Sequence, residues 1–248
     1  MNFIGIIPAR YASTRFPGKP LCMLGDMTMI ERVYRQVSKV KALHYICVAT
    51  DDERIYNAVK QFGGNVVMTS TENRSGTDRC ADALQHIRDL SPDDVIINIQ
   101  GDEPFIQPRQ IATLTTCFDN PDIQIATLIK PLDNQDDINN PNVVKVVKDI
   151  NNNALYFSRY PIPYIRNTAI EAPVFYQHIG IYAYRVSTLK QIVSLPSSSL
   201  EQAESLEQLR WLENAFTIHT EVSSCQSIGI DTPADMEKAL EYLRTMNL

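Results

Sequence analysis

In the first half of the chain, short apolar runs alternate with amphipathic stretches, a pattern that few architectures accommodate. Phe3-Ile4-Gly5-Ile6-Ile7 reads as a buried strand that Pro8 is expected to stop. Tyr45–Ala49, Val66-Val67-Met68 and Val95–Ile99 read as further strands. Between them, Thr28-Met29-Ile30-Glu31 has the spacing of a capping box, and Ile30, Val33, Tyr34 and Val37 follow at helical intervals. A second helix is expected over Asp52–Phe62, ending at Gly63-Gly64, and a third from Thr77 or Asp78 to about Leu90. Strand–helix alternation of this kind predicts βα units on a mostly parallel sheet.

Beyond about residue 130 the pattern changes. Asn142–Lys148, Ala154–Ser158 and Gln177–Tyr184 read as β segments separated by Asn- and Pro-rich connections, which predicts a smaller mixed or antiparallel β lobe. Leu200–Asn214 is expected to be one helix, Phe216–Val222 a strand, and Pro233–Met246 a closing helix with Thr232 as its cap. The chain therefore divides into an α/β core over 1–130, a second lobe over 131–200 and a return to the core over 201–248.

Composition narrows the function classes. Acidic residues outnumber basic ones, 29 to 23, for a net charge of −6, which argues against a nucleic-acid-binding face. Local clusters of Arg and Lys could still hold an anionic ligand. Cys22, Cys47, Cys80, Cys117 and Cys225 are scattered and odd in number, with no C-x-x-C pair. A disulfide framework or structural zinc site is therefore not expected, and buried thiols in a reducing compartment are. No apolar stretch has the length of a membrane span, and Asn2–Pro8 lacks a signal-cleavage pattern, so a cytoplasmic protein without membrane insertion is expected.

The segment Pro8-Ala9-Arg10-Tyr11-Ala12-Ser13-Thr14-Arg15-Phe16-Pro17-Gly18-Lys19-Pro20 follows the first strand, at the sheet edge where open α/β folds bind ligands. Its cations, hydroxyls and single glycine, with no acidic residue, are the equipment a polyphosphate needs. Taken alone, such a turn is equally a solvated basic loop. It is neither a Walker loop nor a G-x-G-x-x-G turn.

The same string resembles the amino-terminal signature of the 3-deoxy-D-manno-octulosonate (Kdo) cytidylyltransferases, and sialic-acid cytidylyltransferases share a looser version. The resemblance continues at Val48-Ala49-Thr50-Asp51, Met68-Thr69, Ser75-Gly76-Thr77-Asp78-Arg79 and Asn98-Ile99-Gln100-Gly101-Asp102-Glu103-Pro104. It extends through Asn142–Val147, Ala154–Arg159, His178–Tyr182, Leu206–Arg210 and Gly229-Ile230-Asp231-Thr232-Pro233, and favours the Kdo branch.

The resemblance implies a Rossmann-like nucleotidyltransferase core that binds CTP over 1–130, and a sugar-binding, dimerising lobe over 131–200. The implied reaction transfers CMP from CTP to the anomeric hydroxyl of Kdo, activating it for lipopolysaccharide biosynthesis. Arg10, Ser13, Arg15 and Lys19 are expected on the CTP phosphates, with Arg79 and Gln100 near the cytosine or ribose. Lys19, Arg15 and Asp102 would carry the catalysis, and Asp102 with Asp231 would hold Mg2+, which takes few protein carboxylates. Read without the resemblance, Asp231 before Thr232-Pro233 is equally part of a helix cap. For the sugar, Lys145 and Arg159 suit its carboxylate, and His178, Tyr182, Glu207 and Gln208 its hydroxyls. Tyr156-Phe157 and Tyr160-Pro161-Ile162-Pro163-Tyr164 could bury apolar surface in a homodimer or serve the chain's own core.

Two rivals from other classes are a glycosyltransferase and a non-catalytic nucleotide-binding module. The first would carry Asp-x-Asp where this chain has Gly101-Asp102-Glu103-Pro104, and the second would be expected to lack Lys19, Asp102 or Asp231. Within enzymes, a cytidylyltransferase for an amino-substituted Kdo-like sugar is the nearest alternative.

Overall fold

The computed structural model describes residues 1–12, 16–166, 173–225, 229–230 and 232–245. β1 (Phe3–Ala9) leads through a 3-10 turn, Lys19–Leu21, and a short hairpin, β2 (Met23–Leu24) and β3 (Met27–Thr28), into α1 (Met29–Val37). β4 (Leu43–Thr50), α2 (Glu53–Gln61), β5 (Val66–Met68), α3 (Gly76–Ala83), β6 (Val95–Asn98) and α4 (Pro108–Cys117) continue the alternation. Next come β7 (Ile125–Leu132), α5 (Gln135–Asn139), β8 (Lys145–Lys148), β9 (Ala154–Ser158) and β10 (Phe175–Arg185). The chain closes with α6 (Val186–Ile192), α7 (Ser199–Glu204), α8 (Glu207–Glu213), β11 (His219–Val222) and α9 (Pro233–Thr245).

The strands form one sheet in the order β11-β7-β10-β6-β1-β4-β5, with β8 paired to β10 and β9 to β8. β5, β4, β1 and β6 run parallel; β10 is antiparallel to both β6 and β7, and β11 is parallel to β7. The mostly parallel core and the antiparallel β8–β9 extension match the expected fold class. They share β10, which lies inside the central sheet before its amino-terminal end reaches β8.

Alternation along the strands sends Ile7, Val48, Ile97 and Leu128 to the face covered by α1, α2 and α4, where Val33, Val59 and Leu114 meet them. Ile6, Cys47, Ile96 and Tyr184 face the other way, against Cys80, Leu189 and Trp211. Each such aliphatic side chain contributes about 1.5–3 kcal/mol when fully buried. A third cluster seats α9 on the hairpin through Leu24, Met29, Phe105, Ile230, Met236 and Leu243. It brings a distant segment back to the sheet's carboxyl edge. Among the described residues, no helix is long and apolar enough to cross a membrane.

Three expectations differ from the structure. β1 does not stop at Pro8 but continues to Ala9. Ile99 N donates to Ile6 O, so Ile6 faces β6; Pro8, two residues on, faces the same way beyond the end of that ladder, and its missing N–H leaves no rung broken. The third helix ends at Ala83, tightens into a 3-10 turn over Leu84–His86, and the chain then takes a left-handed turn at Asp89, φ 59°. Leu200–Asn214 is two helices, α7 and α8, separated at Ser205, φ 51°.

Candidate active site

A cavity of about 210 Å³ opens where β1 and β6 end, lined by the turn after each strand and by the entry to α3. Arg10, Lys19, Arg79, Gln100 and Asp102 all line it, although they come from three separate segments. Ser13, Arg15 and Asp231 lie outside the described residues.

The basic turn is held by its own backbone and by a stacked pair. Gly18 takes a left-handed φ of 71°, its N–H donates to Tyr11 O at 2.9 Å, and a Cβ there would sit 3.1 Å from the Tyr11 ring. The Arg54 guanidinium lies over that ring, 3.3 Å from its centroid. Arg54 is aimed by Asp52, the cap of α2, through bonds of 2.9 and 2.6 Å. The turn is thus clamped to α2. Lys19, the next residue, is nearly buried, and its Nζ donates to Asp102 Oδ2 at 2.7 Å and to Ile230 O at 2.6 Å. Ile230 N in turn donates to Asp102 O at 3.0 Å, so the residue preceding Asp231 is tied directly to Asp102.

Opposite this cation, α3 presents its amino terminus. Ser75 caps it by accepting from Asp78 N at 3.0 Å, and the Asp78 carboxylate accepts in turn from Ser75 N at 3.2 Å. Gly76 approaches the Pro8 ring closely enough that a Cβ would lie 3.3 Å from it. A helix amino terminus with small residues at its mouth favours an anion. Gly101 is under a stricter limit: a Cβ there would fall 2.8 Å from the backbone oxygen of Pro8.

Arg79 is buried behind the cavity and donates to Thr69 Oγ1 at 2.7 Å and Asp51 Oδ2 at 2.9 Å. It therefore fastens the ends of β4 and β5 while facing the cavity with its remaining edge. Gln100 Nε2 donates to Gly180 O at 2.9 Å, which fixes the amide's orientation. Asn73 and Arg74 also line the cavity. Sequence reasoning missed both; the only signal was their place just before a capped helix.

The residues expected to hold the sugar do not line this cavity. Lys145 is 0% exposed, and its ammonium donates to the carbonyls of Asn140 (2.9 Å), Val143 (2.6 Å) and Arg159 (2.5 Å). An ammonium has three N–H bonds, so none remains for a sugar carboxylate. Burial, and then the neighbouring Arg159 charge, push its pKa down, with Glu204 opposing. Arg159 donates to the carbonyls of Glu204, Pro141 and Ser205 but stays partly exposed, with guanidinium hydrogens to spare.

Glu207 braces α3. Its carboxylate accepts from Ser75 Oγ at 2.9 Å, Thr77 Oγ1 at 2.8 Å and Arg210 Nη2 at 2.8 Å. Burial raises its pKa, against the lowering effect of those hydroxyls and of Arg210. His178 packs edge-on to Phe157 and beside Tyr182, each 5.1 Å away, and burial pushes its imidazole down to about 3, so it is neutral at pH 7. The Tyr182 hydroxyl is buried and has no partner within hydrogen-bonding geometry among the described residues. Gln208 is buried beside Leu209 and Trp211. His178 and Tyr182 thus pack among the aromatic side chains on one face of the sheet.

The match to known proteins covers most of the chain. The cytidylyltransferase family model matches residues 4–221. A 3-deoxy-manno-octulosonate cytidylyltransferase of Parabacteroides distasonis is 59% identical over 98% of both chains. Its counterpart in Bacteroides thetaiotaomicron is 55% identical over 98% of this chain and 99% of its own. A solved structure of CMP:2-keto-3-deoxy-manno-octonic acid synthetase complexed with CTP superposes with a TM-score of 0.92, at 41% identity and 100% coverage of both chains. With a cationic turn, a capped helix and the Asp102 carboxylate meeting at the sheet's carboxyl edge, and a family match over nearly its whole length, the chain belongs to the cytidylyltransferases.

Proposed function

We propose that this protein transfers CMP from CTP to the anomeric hydroxyl of Kdo, releasing pyrophosphate and CMP-Kdo. The observation that carries the reading is the convergence of Arg10, Lys19, the α3 amino terminus and Asp102 on one cavity. The names of the similar proteins and the CTP complex of the similar structure support the choice of nucleotide and sugar.

In such a transfer, the sugar oxygen forms a bond to the α-phosphorus as the bond to pyrophosphate breaks in line with it. The α3 amino terminus and Arg10 would hold the triphosphate, while Gln100, locked on Gly180 O, offers its amide oxygen to the base or ribose. Lys19 would meet the charge that grows on the leaving group. Its loss should lower turnover by about 10²–10³-fold, as for other preorganised donors.

The donor set around Lys19 fits a hard divalent ion. The ammonium already sits between a carboxylate oxygen and a backbone carbonyl, Asp102 Oδ2 and Ile230 O. Asp102 and Asp231 would hold Mg2+, which when bound neutralises phosphate charge and acidifies the attacking hydroxyl. Asp102 also orients Lys19, so Asp102→Asn should remove most activity without unfolding the chain.

The reading includes a cytosolic homodimer. Tyr160 (74% exposed) and Tyr164 (85%) leave apolar surface on the second lobe for a second copy, whereas Phe157 is buried and serves the chain's own core. All five cysteines are free, as suits a reducing compartment.

Pyrophosphate release measured across a panel of nucleoside triphosphates and acidic sugars, with and without Mg2+, tests the proposal. CTP, Kdo and Mg2+ together should give the highest kcat/KM. A higher value for an amino-substituted Kdo would reassign the sugar, and a non-cytidine preference would overturn the reading.

A further inference from the structure

At the other edge of the sheet, three side chains of mixed donor chemistry converge. Cys117 ends α4, and His219 and Glu221 stand two residues apart on β11. The α4-facing side of the sheet carries both, because β11 registers His219 with Ala126 and Glu221 with Leu128, residues that belong to the core under α4. Strand periodicity and helix packing therefore bring together residues about a hundred positions apart in sequence, in a pattern without the short Cys spacing of sequence-visible zinc sites.

One ligand atom from each residue lies within 4.8 Å of the other two. His219 Nε2 and Glu221 Oε2 are 3.8 Å apart. Tetrahedral zinc bonds of about 2.0–2.3 Å put neighbouring donors roughly 3.3–3.7 Å apart. Closing the cluster thus needs displacements of about an ångström, within the reach of small side-chain rotations. The thiol is buried, while the imidazole and carboxylate are partly open. His219 also lines a separate cavity of about 520 Å³ with Asn120, Asp122 and Asn153, which leaves room for water at a fourth position.

We propose that Cys117, His219 and Glu221 form a binding site for Zn2+ or a similar borderline divalent ion, pinning β11 to the end of α4. The donor set excludes Mg2+, which takes oxygen ligands, and suits zinc, which takes sulfur, nitrogen and carboxylate together. The site is separate from catalysis. β11 is the edge strand, separated from β6 by β7 and β10, and the cavity beside His219 shares no lining residue with the one at the Gln100–Asp102 turn. Binding replaces the Cys117 S–H bond with a sulfur–metal bond and releases the proton to solvent.

Cobalt(II) is the probe, because thiolate ligation gives a near-ultraviolet charge-transfer band that an all-oxygen site cannot produce. The full chain, stripped with chelator and titrated with Co2+ at neutral pH, should develop this band to one equivalent, and Zn2+ should abolish it. Asp102→Asn should keep the band, and Cys117→Ser should lose it with turnover unchanged. Should Cys117→Ser not fold, His219→Gln and Glu221→Gln report instead, each expected to weaken Co2+ binding at least tenfold. Zn2+ should raise the melting temperature of the wild type by several degrees and that of His219→Gln by much less. The absence of a charge-transfer band, a band that survives Cys117→Ser, or Co2+ affinity unchanged in both His219→Gln and Glu221→Gln overturns the proposal.

Discussion

Replacing Lys145 by Met separates a structural ammonium from a sugar ligand. Lys145 donates to three backbone carbonyls in a place closed to solvent. Removing it leaves the carbonyls of Asn140, Val143 and Arg159 without that donor, each costing about 1–3 kcal/mol if nothing replaces it. Relief from burying an ammonium offsets part of this. A net loss of about 3 kcal/mol is therefore expected. In a chain of this size, about 2–4 °C per kcal/mol translates that into a fall in melting temperature of roughly 6–12 °C. Calorimetry with wild type and Lys145→Met measures the fall, and steady-state kinetics below both transitions measures the sugar KM. Because Lys145 also holds the backbone of Arg159, a several-fold rise in sugar KM is compatible with the structural role. An unchanged melting temperature combined with a hundredfold rise in sugar KM would refute the argument and return Lys145 to the sugar site.

Gly101→Ala would drive a Cβ against the Pro8 oxygen at 2.8 Å, backbone on both sides, so a loss of about 1–3 kcal/mol in stability and a lower kcat are expected; unaltered kinetics would show the two turns to be uncoupled. Tyr11→Leu should raise the KM for CTP by a few-fold, as the exposed stacking with Arg54 is worth about 0.5–1 kcal/mol, while Tyr11→Phe retains wild-type kinetics; equal defects in both would assign the effect to the hydroxyl. His178 gives a pH test. Its folded pKa is depressed to about 3, so the unfolded chain binds the extra proton, and stability present above pH 6.5 is lost as pH falls from there toward 3. Between pH 7.5 and pH 5 this amounts to about 2 kcal/mol at one pKa unit per 1.36 kcal/mol, and His178→Asn should lack that component in urea melts. Parallel pH profiles for the two proteins would contradict it.

Much of the fold is legible in local pattern. β5 and β9 lie where their apolar runs place them, and the Thr28 cap is set by a short polar spacing. What local pattern hides is determined by distant partners. Glu204 and Glu207, three apart, would share one face of an unbroken helix. Instead Glu204 is required by Ser158 and Arg159 in the second lobe, and Glu207 by Ser75 and Thr77 at the cavity. The break at Ser205 lets the chain serve both sides, and no periodicity in 200–214 encodes it.

The site follows the same division. The cationic turn and Asp102 are visible because each follows an apolar run at a strand end, where the fold class alone places ligand contacts. The partners of Lys145 and Glu207 are hidden for the opposite reason. A charged side chain in the sequence does not disclose whether its partner is a ligand or the protein's own backbone, and here three carbonyls and two hydroxyls hold them. Arg74 carries no local mark beyond preceding a capped helix.

Diffraction from crystals grown with CTP and Mn2+ examines the phosphate-and-metal geometry most directly, since manganese scatters anomalously where magnesium does not. The triphosphate should lie in the cavity between Arg10, Lys19 and the start of α3, with an anomalous peak at the Asp102 carboxylate and Asp231. Nucleotide bound elsewhere, or a manganese peak that does not touch Asp102, would contradict the account.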